Sequence, residues 1–354
     1  MMEINKKIDA LQWINLYARD FLFAKFWKCY ESKARLDNKT VLITGCNSGI
    51  GKETALDLCG RGARVIMACR DLKRATDAAD DIRNQVSSCE NPGEVTTVKL
   101  DLASLKSVRE CAENILTNEE RIDILINNAG VITGSRELTE DDHELTFQTN
   151  YLGHYLLTLL LLPKMIESAP ARIINVSSIG HTWGDGSIHF DDITLEKSYS
   201  ITNAYGRTKL AQIFFTSVLA KKLEGTGVTA YAAHPGLVQT TITRHVAPIL
   251  ARIAETWSLS IVLKTPKQGA QTIIYCALDE EAGKETGLWY MDCAPAMPVK
   301  RARNEDIANQ LWDFSWRAVK LPEDYNPFQT KRKGFVKSLR NLSPLSDEIS
   351  FRHL

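Results

Sequence analysis

The chain carries no surplus of charge: 43 lysines and arginines stand against 43 aspartates and glutamates in 354 residues. A dedicated nucleic-acid binder shows a strong basic excess, so nucleic acid is not an expected partner. No Cys-x-x-Cys pair and no His/Cys ligand cluster occurs, so no metal site is expected. The eight cysteines fall partly in apolar strand-like runs and read as buried free thiols of a reducing compartment. Sequons at Asn38, Asn175 and Asn341 read as accidental, because Asn175 lies in a core-like strand. No repeat or long low-complexity block is present.

Long hydrophobic runs are scarce too. The N-terminal segment 1–37 holds Trp13, Phe21, Phe23, Phe26 and Trp27, but its longest uncharged run is Ala10 to Ala18. That is far short of the roughly 20 residues needed to cross a bilayer. Charges interrupt any signal-peptide core. The segment fits either a helix lying in a membrane interface or one packed on the body or a second subunit. The stretch from Leu145 to Pro163 is uncharged, yet Gln148, Asn150, Gly153 and His154 interrupt it. It reads as a buried core helix spanning Asp141 to Pro163.

What the chain does have is alternation. Apolar strands are expected at Lys39–Thr44, Ala63–Cys69, Val95–Leu100, Ile122–Ile126, Ala171–Ser177 and Val228–Ala233, with a last one at Leu288–Met291. Helical patterns lie between them. Strands alternating with helices give an α/β fold with a doubly wound parallel sheet, a three-layer Rossmann arrangement. Right-handed crossovers place the strand C-termini along one edge. Further helices are expected from Tyr205 through Leu223, over Gln268–Leu278 and over Glu305–Val319.

The first strand runs into Gly45-Cys46-Asn47-Ser48-Gly49-Ile50-Gly51 and then a helix. Glycines there let the backbone approach a pyrophosphate, and the helix N-terminus supplies N–H groups and partial positive charge. An acid ending the second strand would bond the ribose 2′-hydroxyl of NAD. Cys69 stands there instead, followed by Arg70, which suits the 2′-phosphate of NADP. Tyr205 and Lys209 lie four apart on one helical face. An ammonium beside a phenol is expected to lower the phenol's pKa toward working pH and make it a proton donor.

Thr44-Gly45-x-x-x-Gly49-Ile50-Gly51, Asp101-Leu102, Asn127-Asn128-Ala129-Gly130, Tyr205-x-x-x-Lys209 and Pro235-Gly236 occur in that order. Together they resemble the short-chain dehydrogenase/reductase family over residues 38–320. Ala68-Cys69-Arg70-Asp71, the run Ala169 to Ser178 and His234-Pro235-Gly236 resemble its branch of NADP-preferring retinol dehydrogenases and the oxidoreductase domain of WW-containing relatives. The resemblance implies a catalytic set of Asn150, Ser178, Tyr205 and Lys209. It puts the catalytic serine at Ser178 and leaves Ser177 a structural part. It sets Asn150 at a helix kink, holding a water that leads to Lys209. It implies cofactor contacts from Gly45, Asn47, Ser48, Gly49, Ile50, Gly51, Arg70, Asp101, Leu102, Asn128, Ala129 and Gly130. Tyr205, Lys209, Pro235, Gly236, Val238 and Thr240 complete that set.

The implied activity is hydride exchange between NADP(H) and a lipophilic alcohol or carbonyl, retinol/retinal foremost. A steroid or general carbonyl reductase and a non-catalytic NADP-binding scaffold are the alternatives. His181 and Trp183 follow in a loop that could border the substrate, with packing an equal alternative for Trp183. Residues 241–268 are expected to form an apolar substrate lid or, equally, a helix pair packed on the body, within a single domain of 38–322. A flexible basic tail is expected over 323–354. The two termini and the resemblance together suggest peripheral association with the cytosolic face of the endoplasmic reticulum. A homodimer is compatible with the sequence.

Overall fold

The computed structural model describes residues 30–239 and 263–329. Most of the N-terminal segment, Thr240, most of the lid region and the basic tail beyond Gln329 lie outside the described residues.

β1 (Thr40–Thr44) is TVLIT, five buried residues. It leads through the Gly-rich turn into α1 (Gly49–Gly60). Then follow β2 (Arg64–Cys69), α2 (Leu72–Val86), β3 (Val95–Lys99), α3 (Leu105–Asn118) and β4 (Ile124–Asn127). The second half holds α4 (Gly153–Glu167), β5 (Ala171–Val176), α5 (Ile201–Lys222), β6 (Val228–His234), α6 (Pro266–Leu278), β7 (Trp289–Met291), β8 (Ala294–Ala296) and α7 (Glu305–Ala318).

The eight strands form one sheet in the order β3-β2-β1-β4-β5-β6-β7-β8. Every neighbouring pair is parallel except β7–β8. Alternation along each strand feeds two cores. Leu42, Ile66 and Ala68 face the helices α3, α4, α5 and α7, while Val41, Ile43, Val65 and Met67 face α1, α2 and α6. This is the expected three-layer arrangement. The strand order reverses between β1 and β4, so the cleft of this fold opens beyond their C-terminal ends.

The strands fall within two residues of expectation, but β8 was not anticipated. It returns through Asp292 and Cys293, both at positive φ (51° and 54°). A two-residue hairpin turn needs that conformation and normally recruits Gly or Asn, so the sequence signal was weak here.

The long helix expected over Asp141–Pro163 is corrected at both ends. Glu144 caps a single α turn, Leu145–Phe147, by accepting from Thr146 N (2.8 Å) and Phe147 N (2.9 Å). A π-helical stretch follows at Gln148–Leu152. α4 then continues through Pro163 to Glu167. Pro163 has no N–H to give the carbonyl of Leu159. Tyr325 Oη donates to that carbonyl instead, at 2.8 Å. Tyr325 and Phe328 pack on the larger core, so the body runs past the boundary expected at residue 322. Among the described residues no helix is long and apolar enough to cross a membrane.

Two other helices start earlier than expected. α5 begins at Ile201, because Ser200 Oγ accepts from Asn203 N at 3.0 Å. α6 begins at Pro266 with a capping box between Thr265 and Gln268. Residues 264–268 therefore belong to the body, and Lys264 is buried in an ion pair with Asp292 at 2.6 Å.

Candidate active site

A cleft of about 490 Å³ lies at the C-terminal sheet edge. Its lining includes Gly45, Asn47, Ser48, Ile50, Gly51, Arg70, Asp101, Leu102, Asn128, Ala129 and Gly130. Ser178, Tyr205, Lys209, Pro235, Gly236 and Val238 line it as well. Gly49 opens α1 beside these residues at φ 58°. Asn150 stands just behind the wall, and Thr240 lies outside the described residues.

The N-terminus of α1 is chemically distinct. α2, α3, α5, α6 and α7 each have a side chain that accepts from a first-turn N–H: Asp71, Ser104, Ser200, Thr265 and Asn304. Ser48 makes no such bond, and no acid stands in the first turn of α1. Its N–H groups and the positive end of its dipole are left for an anionic group in the cleft. The residues present therefore fit a dinucleotide pyrophosphate.

The turn itself is held by Asn128 and Thr44. Asn128 Nδ2 donates to Thr44 O (2.9 Å) and Gly45 O (3.1 Å). Thr44 Oγ1 accepts from Asn128 N (2.9 Å) and Ala129 N (3.0 Å). With both lone pairs engaged, its proton turns to His154 Nε2 at 2.8 Å. His154 is thus the Nδ1–H tautomer and donates to Asn150 O at 3.0 Å. Burial pushes its pKa down to about 4, which keeps it neutral. Sequence reading treated His154 only as a polar interruption, and its role depends on spatial neighbours 110 residues apart.

Asn150 sits in the π-helical kink. Its side chain accepts from Val131 N (2.8 Å) and donates to Val131 O (2.9 Å) and Thr208 Oγ1 (3.3 Å). Its main-chain carbonyl also accepts from Gln212 Nε2 at 2.6 Å. The expected kink is present, but every polar group of the side chain is already bonded within the protein.

Ser178 follows β5, and its hydroxyl accepts from Gly180 N at 2.9 Å and faces Tyr205, whose pKa it acts to lower. Ser177 Oγ donates to Lys209 O at 2.9 Å, a structural part as expected. The Tyr205 ring is packed on Trp183, with centroids 5.5 Å apart. Trp183 lines the cleft, but His181 does not border it. His181 is fully buried, donates from Nδ1 to Ser178 O at 2.7 Å and meets Trp289 edge-on. It supports Ser178 from behind, an apolar environment that favours the neutral ring.

Lys209 Nζ lies 5.5 Å from the Tyr205 ring centroid and donates to Val176 O at 2.8 Å. The expected lowering of the phenol's pKa is not what the environment produces. Burial raises Tyr205 to about 12, with Ser178 opposing, and lowers Lys209 to about 8. Both groups are desolvated, and loss of solvent decides the direction of both shifts.

At the far end of the cleft, Arg70 and Arg74 are exposed rim residues. Asp71 Oδ1 is occupied by Arg74 N at 3.1 Å. Arg74 escaped the sequence reading, since one helical turn brings it beside Arg70.

A nucleotide cradle at a sheet switch point, beside a half-buried Ser178 and buried Tyr205 and Lys209, defines a Rossmann-type oxidoreductase. The sequence profile described as short chain dehydrogenase matches residues 39–190. Retinol dehydrogenase 11 of Mus musculus is 45% identical over 295 residues, 83% of this chain and 90% of the relative. Retinol dehydrogenase 12 of Homo sapiens is 45% identical over 286 residues, covering 80% and 87%. The crystal structure of an uncharacterized protein from Mycobacterium Paratuberculosis aligns with a TM-score of 0.66 at 31% identity, covering 84% of this chain and all of that one. The chain belongs to the short-chain dehydrogenase family. It is an oxidoreductase acting on CH–OH groups, on a fold that binds a nicotinamide cofactor.

Proposed function

We propose that the chain is an NADP(H)-dependent oxidoreductase of lipophilic alcohols and carbonyls, with retinol and retinal as the leading pair. The observation that carries the cofactor choice is at the end of β2. Arg70 and Arg74 stand exposed on the rim, and neither guanidinium has an ion-pair partner among the described residues. The carboxylate between them in sequence, Asp71, caps α2. Two cations without an available acid favour a 2′-phosphate over a free ribose hydroxyl. The substrate class is supported by relatives that bear the name retinol dehydrogenase.

When bound, the nicotinamide supplies hydride chemistry at the substrate carbon. The chain's own residues handle the substrate oxygen and one proton. Ser178 orients the oxygen by hydrogen bonding. Tyr205 donates the proton in reduction and accepts it in oxidation. Lys209 stabilises the phenolate through its charge. Asn150 acts by position: its side chain is committed to Val131 and Thr208, and it fixes the loop after β4 against the start of α5. Aromatic and basic residues in 1–37 and 331–340 support attachment to the cytosolic face of the endoplasmic reticulum.

Two measurements test this reading. Nicotinamide oxidation is followed with retinal, a steroid ketone panel and short aldehydes. Retinal turnover supports the reading, and turnover of steroid ketones alone would replace its substrate. NADPH binding without turnover of any carbonyl would turn the assignment to a scaffold. Arg70→Glu with Arg74→Glu is expected to raise the KM for NADPH over that for NADH by about 10- to 100-fold. An unchanged ratio removes the NADP preference.

A further inference from the structure

Two of the free thiols lie against each other beneath the cleft, and one of them lines it. Cys46 stands inside the Gly-rich turn, and Cys69 ends β2. Their sulfurs are 4.0 Å apart, although the residues are 23 positions apart in sequence. The parallel pairing of β1 and β2 causes this. Thr44 is level with Ala68, and Gly45 N donates to Ala68 O at 2.9 Å, so the turn folds over the end of β2. Cys46 is fully buried, and its one thiol proton has two acceptors in reach, Ile43 O at 3.1 Å and the Cys69 sulfur at 4.0 Å. Cys69 is 3% exposed, and that exposure is into the cleft.

We propose that Cys46 and Cys69 form a reversible oxidation site that closes the dinucleotide cradle when a hydroperoxide, in place of a dinucleotide, enters the cleft. Local chemistry distinguishes the two sulfurs. The Cys46 thiol and the backbone N–H groups of Cys46 and Asn47 stabilise the thiolate of Cys69, against the opposing effect of burial. Cys46 itself is held strongly protonated by burial. Cys69 is therefore the sulfur that reacts first, and Cys46 is the resolving thiol.

The step balances. The Cys69 thiolate attacks the terminal oxygen of the hydroperoxide. The O–O bond breaks, and the departing alkoxide or hydroxide takes up the proton that Cys69 released. This leaves a sulfenic acid on Cys69. The Cys46 sulfur then attacks the Cys69 sulfur, the S–O bond breaks, and the hydroxyl leaves as water with the proton of Cys46. The two thiols lose two electrons, and the hydroperoxide becomes an alcohol (or water) plus one water. A disulfide requires an S–S distance of about 2 Å. Forming it draws the turn at Cys46 and Asn47 toward β2, and α1 can no longer present its N-terminus to a pyrophosphate. A bound dinucleotide covers Cys69 and blocks the first step.

The experiment treats the full chain with hydrogen peroxide, with and without excess NADP⁺. Trypsin separates the two cysteines into the peptides Thr40–Lys52 and Val65–Arg70. The expected result is a disulfide-linked pair of these peptides under non-reducing conditions. NADPH binding, read by its fluorescence, falls about tenfold or more. Dithiothreitol restores it, and NADP⁺ slows the loss. Cys46→Ala is expected to lose the dithiothreitol-reversible component, each protein being compared with its own untreated state. Cys89→Ser, at an exposed cysteine away from the cleft, retains it. Absence of the linked peptides overturns the proposal, as does an equal reversible loss in Cys46→Ala. If Cys46→Ala does not fold, peptide mapping of the unsubstituted chain decides alone. The mapping needs no substrate, so it fails or succeeds independently of the retinal assignment.

Discussion

Arg207 Nη2 donates to Glu144 Oε2 at 3.0 Å, with both side chains fully shielded from solvent. Arg207 lies two residues beyond Tyr205, and Glu144 caps the turn that leads into the Asn150 kink. Arg207 also donates to Ile193 O at 2.8 Å and lies 4.5 Å from the centre of the Phe147 ring. The pair thus fastens the catalytic helix to the helix that carries Asn150. Removing one partner leaves a buried charge uncompensated, a cost of about 3–5 kcal/mol. Arg207→Met and Glu144→Gln are each expected to lower the urea midpoint sharply. The double substitution is expected to recover a large part of the loss, since no charge then remains. Additive losses in the double mutant would show that the two side chains do not act as a pair.

The hydrogen bond from Tyr325 to the Leu159 carbonyl makes a second coupling. Tyr325→Phe leaves that carbonyl buried without a partner and is expected to cost about 1–3 kcal/mol. Pro163→Ala supplies a backbone N–H to the same carbonyl. In the Pro163→Ala background, Tyr325→Phe is then expected to cost much less. Chemical denaturation of the four proteins measures the coupling. Equal costs in the two backgrounds would sever the link between Pro163 and Tyr325.

Much of this architecture was legible because strand periodicity and turn chemistry are local. TVLIT followed by Gly45-x-x-x-Gly49-x-Gly51 carries its own meaning, and the order of the motifs set the sheet. What escaped was non-local. Pro163 reads as a helix stop, because nothing nearby shows that a tyrosine 162 residues later will bond the freed carbonyl. His154 reads as a polar blemish until Thr44 and Asn150 surround it. The pKa of Tyr205 was misread for the same reason. Spacing reveals the neighbouring ammonium but not the burial that dominates both groups.

Gly180 is required by close approach rather than by backbone angle. A Cβ there would lie 2.8 Å from Tyr205 Cε1 and 3.3 Å from Ser178 Oγ. The Tyr205 ring is fenced on its other side by Trp183. Gly180→Ala must therefore push the phenol off its position beside Ser178. A displacement near 1 Å can cost about 100-fold in rate. The expected outcome is a kcat lower by about 10- to 100-fold with NADPH affinity nearly unchanged. An unchanged kcat would show that the ring moves without consequence for proton transfer.

Lys209 sets the pH behaviour. In the folded chain its pKa lies at about 8, against 10.5 for a solvated lysine, because burial disfavours the ammonium. Tyr205 keeps its proton to about 12. The form with neutral phenol and cationic amine therefore prevails below about pH 8, and the alkaline limb for carbonyl reduction belongs to Lys209. The kcat/KM for reduction is expected to fall above about pH 8, since that ratio reports the free enzyme. Lys209→Arg, which stays protonated, should move any remaining limb to higher pH. Stability gives an independent check. Between about pH 8 and 10.5 the unfolded chain holds a proton on Lys209 that the folded chain has released. Stability from this residue therefore rises with pH across that window. Urea midpoints of the unsubstituted chain and of Lys209→Met, compared at pH 7.5 and 10, should show the unsubstituted chain gaining on the variant. A constant difference would mean that Lys209 titrates like a lysine in water, and the limb near pH 8 would have to come from another group.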